Sequence, residues 1–276
     1  MVYLPPSEPY NWNHRRKRLL LRPTGHPLCK LTAMKIRQYY IATAVVCALT
    51  LVYLLLRWDS VPDPIPVHFD GSGNPDHFEP KSYLNATVLV WIGIVFAIAL
   101  PLCVPPVSLA RRTMAVPLES ALPFSEATAQ RAELLTVKTT TFIAQTVLTM
   151  TACLCLTAVC TVVPDIPFSG FLLVVAWIAF TVFVMIQAGR LTLKSAKDVK
   201  AIPTDDDEQV RNEALRFAGG MGIYNEPTDP MCMAVFSTNS SKLQINTAHE
   251  PGRRYLWRMG IALSASIAFC VLITVR

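Results

Sequence analysis

Charge is what this sequence is short of. Only 16% of its 276 residues are Asp, Glu, Lys or Arg, where soluble domains carry nearer a quarter. The shortage is uneven: charged side chains are missing from five long apolar runs and crowd the segments between them. With 52% apolar residues, that pattern excludes one large soluble core and points to a chain that crosses a membrane several times. Basic stretches interleaved with aromatics are also missing. The net charge of +6 therefore marks no nucleic-acid partner; the basic residues flank apolar runs, as membrane orientation requires.

Other absences narrow the chemistry. The eight cysteines form no C-x-x-C pair and no disulfide framework. Six of them (Cys47, Cys103, Cys153, Cys155, Cys160 and Cys270) lie inside apolar runs as small hydrophobes. Cys29 and Cys232 fall in segments expected in the cytoplasm, where thiols stay reduced. The glycines of Gly219-Gly220-Met221-Gly222 lack both dinucleotide-binding spacing and a P-loop lysine. The spans hold no ionisable relay residue, only neutral groups such as Gln145 and Gln187, and no inverted repeat is visible. No cofactor is expected, and no enzyme activity.

What is present is a multi-pass pattern. A bilayer crossing needs about 20 apolar residues, and the runs Tyr39–Leu56, Tyr83–Val104, Thr139–Val163, Phe168–Gly189 and Met259–Val275 meet that need. Eight basic residues precede the first run, including Arg15-Arg16-Lys17-Arg18, while the following loop holds only Lys81 apart from Arg57 at its edge. Arg111, Arg112, Arg131 and Lys138 lie between the second and third runs, and nine basic residues between Arg190 and Tyr255. This alternation predicts a plasma-membrane protein with its N-terminus inside and its C-terminus outside. Residues 1–37 read as a basic, disordered tail that touches the lipid bilayer. Met34 opens "MKIRQYY" and would itself serve as a start, and neither version resembles a cleaved signal peptide.

Two segments are expected inside. In "LPFSEATAQRAELLTVKT", Ser125 caps a helix that runs into the third span, its charges forming a solvated face. Residues 190–256 read as a small α+β insert. There "IPTDDDEQ" breaks one helix and caps another over "EQVRNEALRF", and "MCMAVFS…KLQINT" forms a β-hairpin. The expected fold is thus all-α and polytopic: five transmembrane helices with a small cytoplasmic α+β insert. Its parts are a tail (1–37), a two-helix unit (38–110) with an outside loop (58–84), a linker helix with spans three and four (111–189), the insert (190–256) and the last helix (257–276).

The outside loop is the part least like the rest. "VPDPIPVHFDGSGNPDHFEPKS" holds five prolines, two glycines, two histidines and one lysine. Asp70, Ser72, Asn74 and Asp76 have the spacing that opens a calcium loop. Pro75, however, stands where glycine is needed, and Lys81 where a bidentate glutamate is needed. His68, Asp70, Asp76 and His77 are acceptable ligands for zinc or manganese without a matching spacing, and His68 with Asp70 lacks a nucleophile. Alternating Pro62, Pro64 and Pro66 hold the backbone extended, the central "DGSGNPD" reverses it, and His68, Phe69 and Phe78 would pack it on the membrane surface. A loop this constrained suits recognition of an outside ligand.

Pro62 to Lys81 fits P-D-x-I-P-x-H-[FWY]-[DN]-x-x-G-x-[PAV]-[DN]-x-[FWY]-x-x-K. It resembles the first outside loop of a bacterial membrane family of unknown function that is shared with SdpI-type toxin-immunity proteins. The resemblance spans about Lys35 to Ser108. In "GIYNEPTDPMCMAV", Gly222, Tyr224, Asp229, Pro230 and Val235 are similar to a small domain of unknown function that accompanies the first. These resemblances imply a sensing or protective protein whose outside loop engages an extracellular peptide or toxin. They imply polar contacts from His68, Asp70, Asp76 and Lys81, a loop shaped by Pro62, Pro66 and Gly73, and a cytoplasmic protein partner for residues 190–256. A permease or channel-like component for a small molecule is the alternative.

Overall fold

The computed structural model describes residues 27–70, 75–117, 119–163, 166, 169–236 and 242–274. Among the described residues, five helices are long and apolar enough to cross a membrane: Met34–Leu56, Tyr83–Arg111, Glu126–Val162, Gly170–Lys200 and Glu250–Ile273. They belong to α1 (Pro27–Leu56), α2 (Tyr83–Leu102), α3 (Glu126–Val162), α4 (Ser169–Lys200) and α6 (Glu250–Thr274). The first begins at Pro27, so residues 27–37 of the expected disordered tail are helical; residues 1–26 lie outside the described part.

α3 is the spine. At 37 residues it is about 55 Å long, and α1, α2 and α4 all pack on it. Ser125 starts it, its hydroxyl accepting from Thr128 N at 2.9 Å, which satisfies one of the orphan donors of a helix N-terminus. The neutral polar groups along α3 are spent within the bundle. The Gln145 amide donates to the Tyr39 hydroxyl of α1 at 3.0 Å and accepts from the Gln187 amide of α4 at 2.8 Å. Many of its threonines bond a carbonyl one turn back, as at Thr136, Thr140 and Thr157, which pairs their hydroxyls within the helix; the buried Thr146 hydroxyl is an exception without a partner.

Each end of α3 carries a small β structure. At the C-terminal end sits a two-stranded hairpin, β1 (Ile65–Phe69) and β2 (Pro75–Glu79), paired antiparallel with Ile65 opposite Glu79 and His68 opposite His77. The extended backbone expected around Pro66 is a strand here. Pro66 is tolerated because both strands of a two-stranded sheet are edges. Val61 and Ile65 are buried in one cluster with Leu54 of α1, Val90 of α2 and Val162 and Val163 at the end of α3.

At the N-terminal end sits an α+β unit: α5 (Asp206–Ala214) and a four-stranded sheet ordered β3 (Gly219–Gly220), β4 (Ile223–Tyr224), β6 (Gln244–Asn246), β5 (Met233–Ala234). The β5–β6 pair is the expected hairpin. The unit also draws in the linker between α2 and α3: Met114 N donates to Pro230 O at 2.8 Å and Leu122 N to Thr228 O at 2.9 Å. A second cluster joins Leu109, Ala110, Ala132 and Leu135 to Met233, Val235, Ile245 and Tyr255. Gly252, in the first turn of α6, lies so close to β6 that an added Cβ would stand 2.0 Å from Asn246 O.

Candidate functional site: the hairpin and its buried counterpart

The hairpin is tied at its base and open at its strands. Ser82 caps α2, its hydroxyl accepting from Asn85 N at 3.1 Å. Asn85 in turn donates from its amide to Pro80 O at 2.9 Å. Trp58 and Tyr83, from the two ends of the segment, stack with ring centroids 4.0 Å apart. Lys81 is directed at this base. Its Nζ donates to Val61 O at 2.7 Å and lies 5.0 Å from the centre of the Trp58 ring, while its backbone N–H donates to Asp63 Oδ1. A cation over an aromatic face contributes about 0.5–1 kcal/mol at an exposed site.

Along the strands the polar side chains face outward. His68 Nδ1 and Asp76 Oδ1 meet across the hairpin at 2.5 Å, with 68% and 46% of the two side chains exposed. His77 Nε2 lies 3.5 Å from Glu79 Oε1. Phe78 is exposed, and buried Val61 and Ile65 anchor the base. Asp70 follows β1 and is exposed. Pro62 is half-buried beside Val61, and Pro66 lies opposite Phe78. Gly73 lies outside the described residues. Of the four polar contacts expected, the structure brings His68 and Asp76 together and directs Lys81 to the base.

Sequence reading singled out Tyr224 and Asp229 but did not join them to Arg211 in a buried charged cluster. At the other end of α3, the Arg211 guanidinium grips Asp229 with both arms, at 2.5 and 2.7 Å. Asp229 also accepts from Tyr224 Oη at 2.8 Å and from Met231 N at 2.9 Å. Asn246 closes the loop around it, donating to Glu226 O at 2.9 Å and accepting from Glu226 N and Ala248 N. Burial, reinforced by the Asp229 carboxylate, pushes the Tyr224 phenol well above its usual range. Burial likewise pushes the Cys232 thiol up to about 11.

A second buried pair ties the unit to the spine. Arg131 of α3 bonds Glu208 of α5 at 3.0 Å, with 6% and 0% of the side chains exposed. It also donates to Val199 O and Ile202 O, capping the end of α4. Asp205 accepts from Glu208 N at 2.7 Å and from Ala127 N at 2.9 Å, so one carboxylate caps α5 and α3 together. The expected solvated face of α3 is therefore corrected at Arg131. Its partner comes from far along the chain, whereas Glu126 and Glu133 remain partly exposed and pair with Arg111. Among the described residues, no group of three His, Cys, Asp or Glu is arranged to hold a metal.

Comparison with known proteins agrees with the hairpin end. Residues 45–100 match the model of a family described as a domain of unknown function (DUF1648). The match takes in the C-terminal part of α1 from residue 45, the whole hairpin and nearly all of α2. No curated protein and no solved structure matches the chain.

The five pattern residues of "GIYNEPTDPMCMAV" nevertheless each have a defined place in the structure. Gly222 takes a φ of +87° that a side chain would strain, Tyr224 and Asp229 bond each other, and Pro230 and Val235 are buried.

Proposed function

We propose that this chain is a non-enzymatic sensing or protective protein of the plasma membrane, related in role to SdpI-type immunity proteins. Its hairpin lies outside the cell and engages a peptide, toxin or envelope component. The observation that carries this reading is the contrast within the hairpin itself. Its base is immobilised by buried Val61 and Ile65 and by the Lys81 clasp, while His68, Asp76, His77 and Phe78 are presented to solvent. A pre-shaped strand pair with an exposed aromatic and exposed charge-capable groups binds at a lower ordering cost than a mobile loop. In this reading His68, Asp70 and Asp76 meet the ligand, and Lys81, Pro62, Pro66 and Gly73 maintain the shape. The α+β unit docks a protein partner inside.

Deletion of the gene is expected to sensitise cells to a secreted peptide, and the His68→Ala, Asp76→Ala double variant to reproduce the loss at unchanged protein level. Unchanged sensitivity to every secreted antimicrobial peptide tested would overturn the proposal. Orientation is tested separately. Val67→Cys, at an exposed position of β1, should react with a membrane-impermeant maleimide on intact cells; labelling only after lysis would place the hairpin inside.

A further inference from the structure

Where α2 ends and the apolar run of α6 begins, the two helices leave an open groove of about 380 Å³ lined by Leu102, Arg254, Trp257, Arg258, Ile261 and Ala262. Its lining is almost wholly apolar, and Arg254 and Arg258, one helical turn apart on α6, border it. Arg254, Trp257, Arg258 and Ile261 recur at the three- and four-residue spacing that puts them on one helix face. Trp257 is 73% exposed, an unfavourable position in water and a favourable one at the level of lipid head groups.

The helices are pinned together beside this groove. Tyr255 Oη donates to Cys103 O at 2.6 Å, so the gap persists as a fixed feature.

The arginines of this turn differ in how they are used. Arg253 donates to Thr247 O and Ala248 O. Arg254 meets Glu250 at 2.5 Å, but both side chains are exposed, and such a pair holds its partner weakly. Arg258 lies 6.0 Å from the Tyr255 ring and has no carboxylate partner among the described residues. One cation thus has no carboxylate partner among the described residues and a second is loosely held, and both border the apolar trough.

We propose that this groove is a binding site for an anionic phospholipid, its phosphate held by Arg254 and Arg258, its glycerol level by Trp257 and one acyl chain by Leu102, Ile261 and Ala262. A basic rim over an apolar slot matches both halves of such a lipid. A soluble anion would leave the slot exposed, and a zwitterionic lipid would bring a choline cation to two arginines.

The full chain, purified in detergent, is titrated with phosphatidylglycerol and separately with phosphatidylcholine of the same acyl chains, and adducts are counted by native mass spectrometry. The wild type should retain phosphatidylglycerol preferentially. Arg254→Gln with Arg258→Gln should lower its apparent affinity about tenfold and leave phosphatidylcholine uptake unchanged, while Arg216→Gln, a control in the α+β unit, keeps the preference. Retained preference in the double variant overturns the site, as does displacement of the lipid by inorganic phosphate at millimolar concentration. Melting in lipid-free detergent monitors folding. If the double variant melts early, Arg258→Gln alone, which breaks no ion pair, must still weaken the phosphatidylglycerol adduct, and no change there overturns the site equally.

Discussion

At one end of α3 a histidine and an aspartate meet in the open; at the other, an arginine and an aspartate meet with at most 2% of either side chain exposed. Both contacts are 2.5 Å long, so distance does not separate them. What separates them is the medium. An exposed pair is screened and contributes about 0–1 kcal/mol, whereas removing one partner of a buried pair leaves a stranded charge and costs about 3–5 kcal/mol. The buried pair is also saturated, with Asp229 accepting from Arg211, Tyr224 and Met231. The hairpin pair has open sides. Charge in the α+β unit therefore specifies a fold, and charge on the hairpin is left for something else to meet.

The sharpest way to break this contrast is at Asp229. Asp229→Ala should lower stability by about 3–5 kcal/mol, read as a large drop in melting temperature of the purified protein; a drop no larger than that of Asp76→Ala would erase the distinction. Next comes Ile65→Ala, which empties a fully buried position and should cost about 2–4 kcal/mol. The loss should appear as faster amide exchange in β1 and β2, while the α+β unit stays protected. Gly252→Ala should cost about 1–3 kcal/mol through overpacking against Asn246 O, with the loss confined to the α+β end.

A pH series sharpens the comparison further. The Tyr224 phenol is raised on folding, so its contribution is complete below the ordinary tyrosine value near 10 and is lost as pH rises through its higher folded value. Stability should therefore fall on the alkaline side, less steeply in Tyr224→Phe, and a series with the same alkaline slope in both proteins would remove Tyr224 from the account. The smallest expected effect is His68→Ala or Asp76→Ala, each within about 1 kcal/mol of wild type in melting.

Much of the architecture was readable in advance, for identifiable reasons. The five apolar runs stand out because a span must be uncharged over its whole length. Ser125 caps its helix as expected because capping reaches only three residues ahead, to Thr128. The β5–β6 hairpin follows from alternating residues around a turn. Arg131 was not readable. In "SEATAQRAELL" it has the look of any solvated helix arginine, and its partner Glu208 lies 77 positions away. The bond of Lys81 was not readable for a related reason: its Nζ turns back to Val61, 20 residues earlier. The strands of the hairpin were obscured by proline, which argues against a central strand but not against an edge.

Features with short-range physics, such as spans, helix starts and turns, follow directly from the order of residues. Which charges are buried does not, because desolvation depends on what covers a group, and the covering atoms arrive from elsewhere in the chain. Arg211 reaches Pro123 across 88 residues, and Asp205 reaches Ala127 across 78. Packing of the linker, α5 and the sheet on one end of α3 made structural supports of those arginines. At the other end only the base of the hairpin is covered, and for that reason His68 and Asp76 stay exposed.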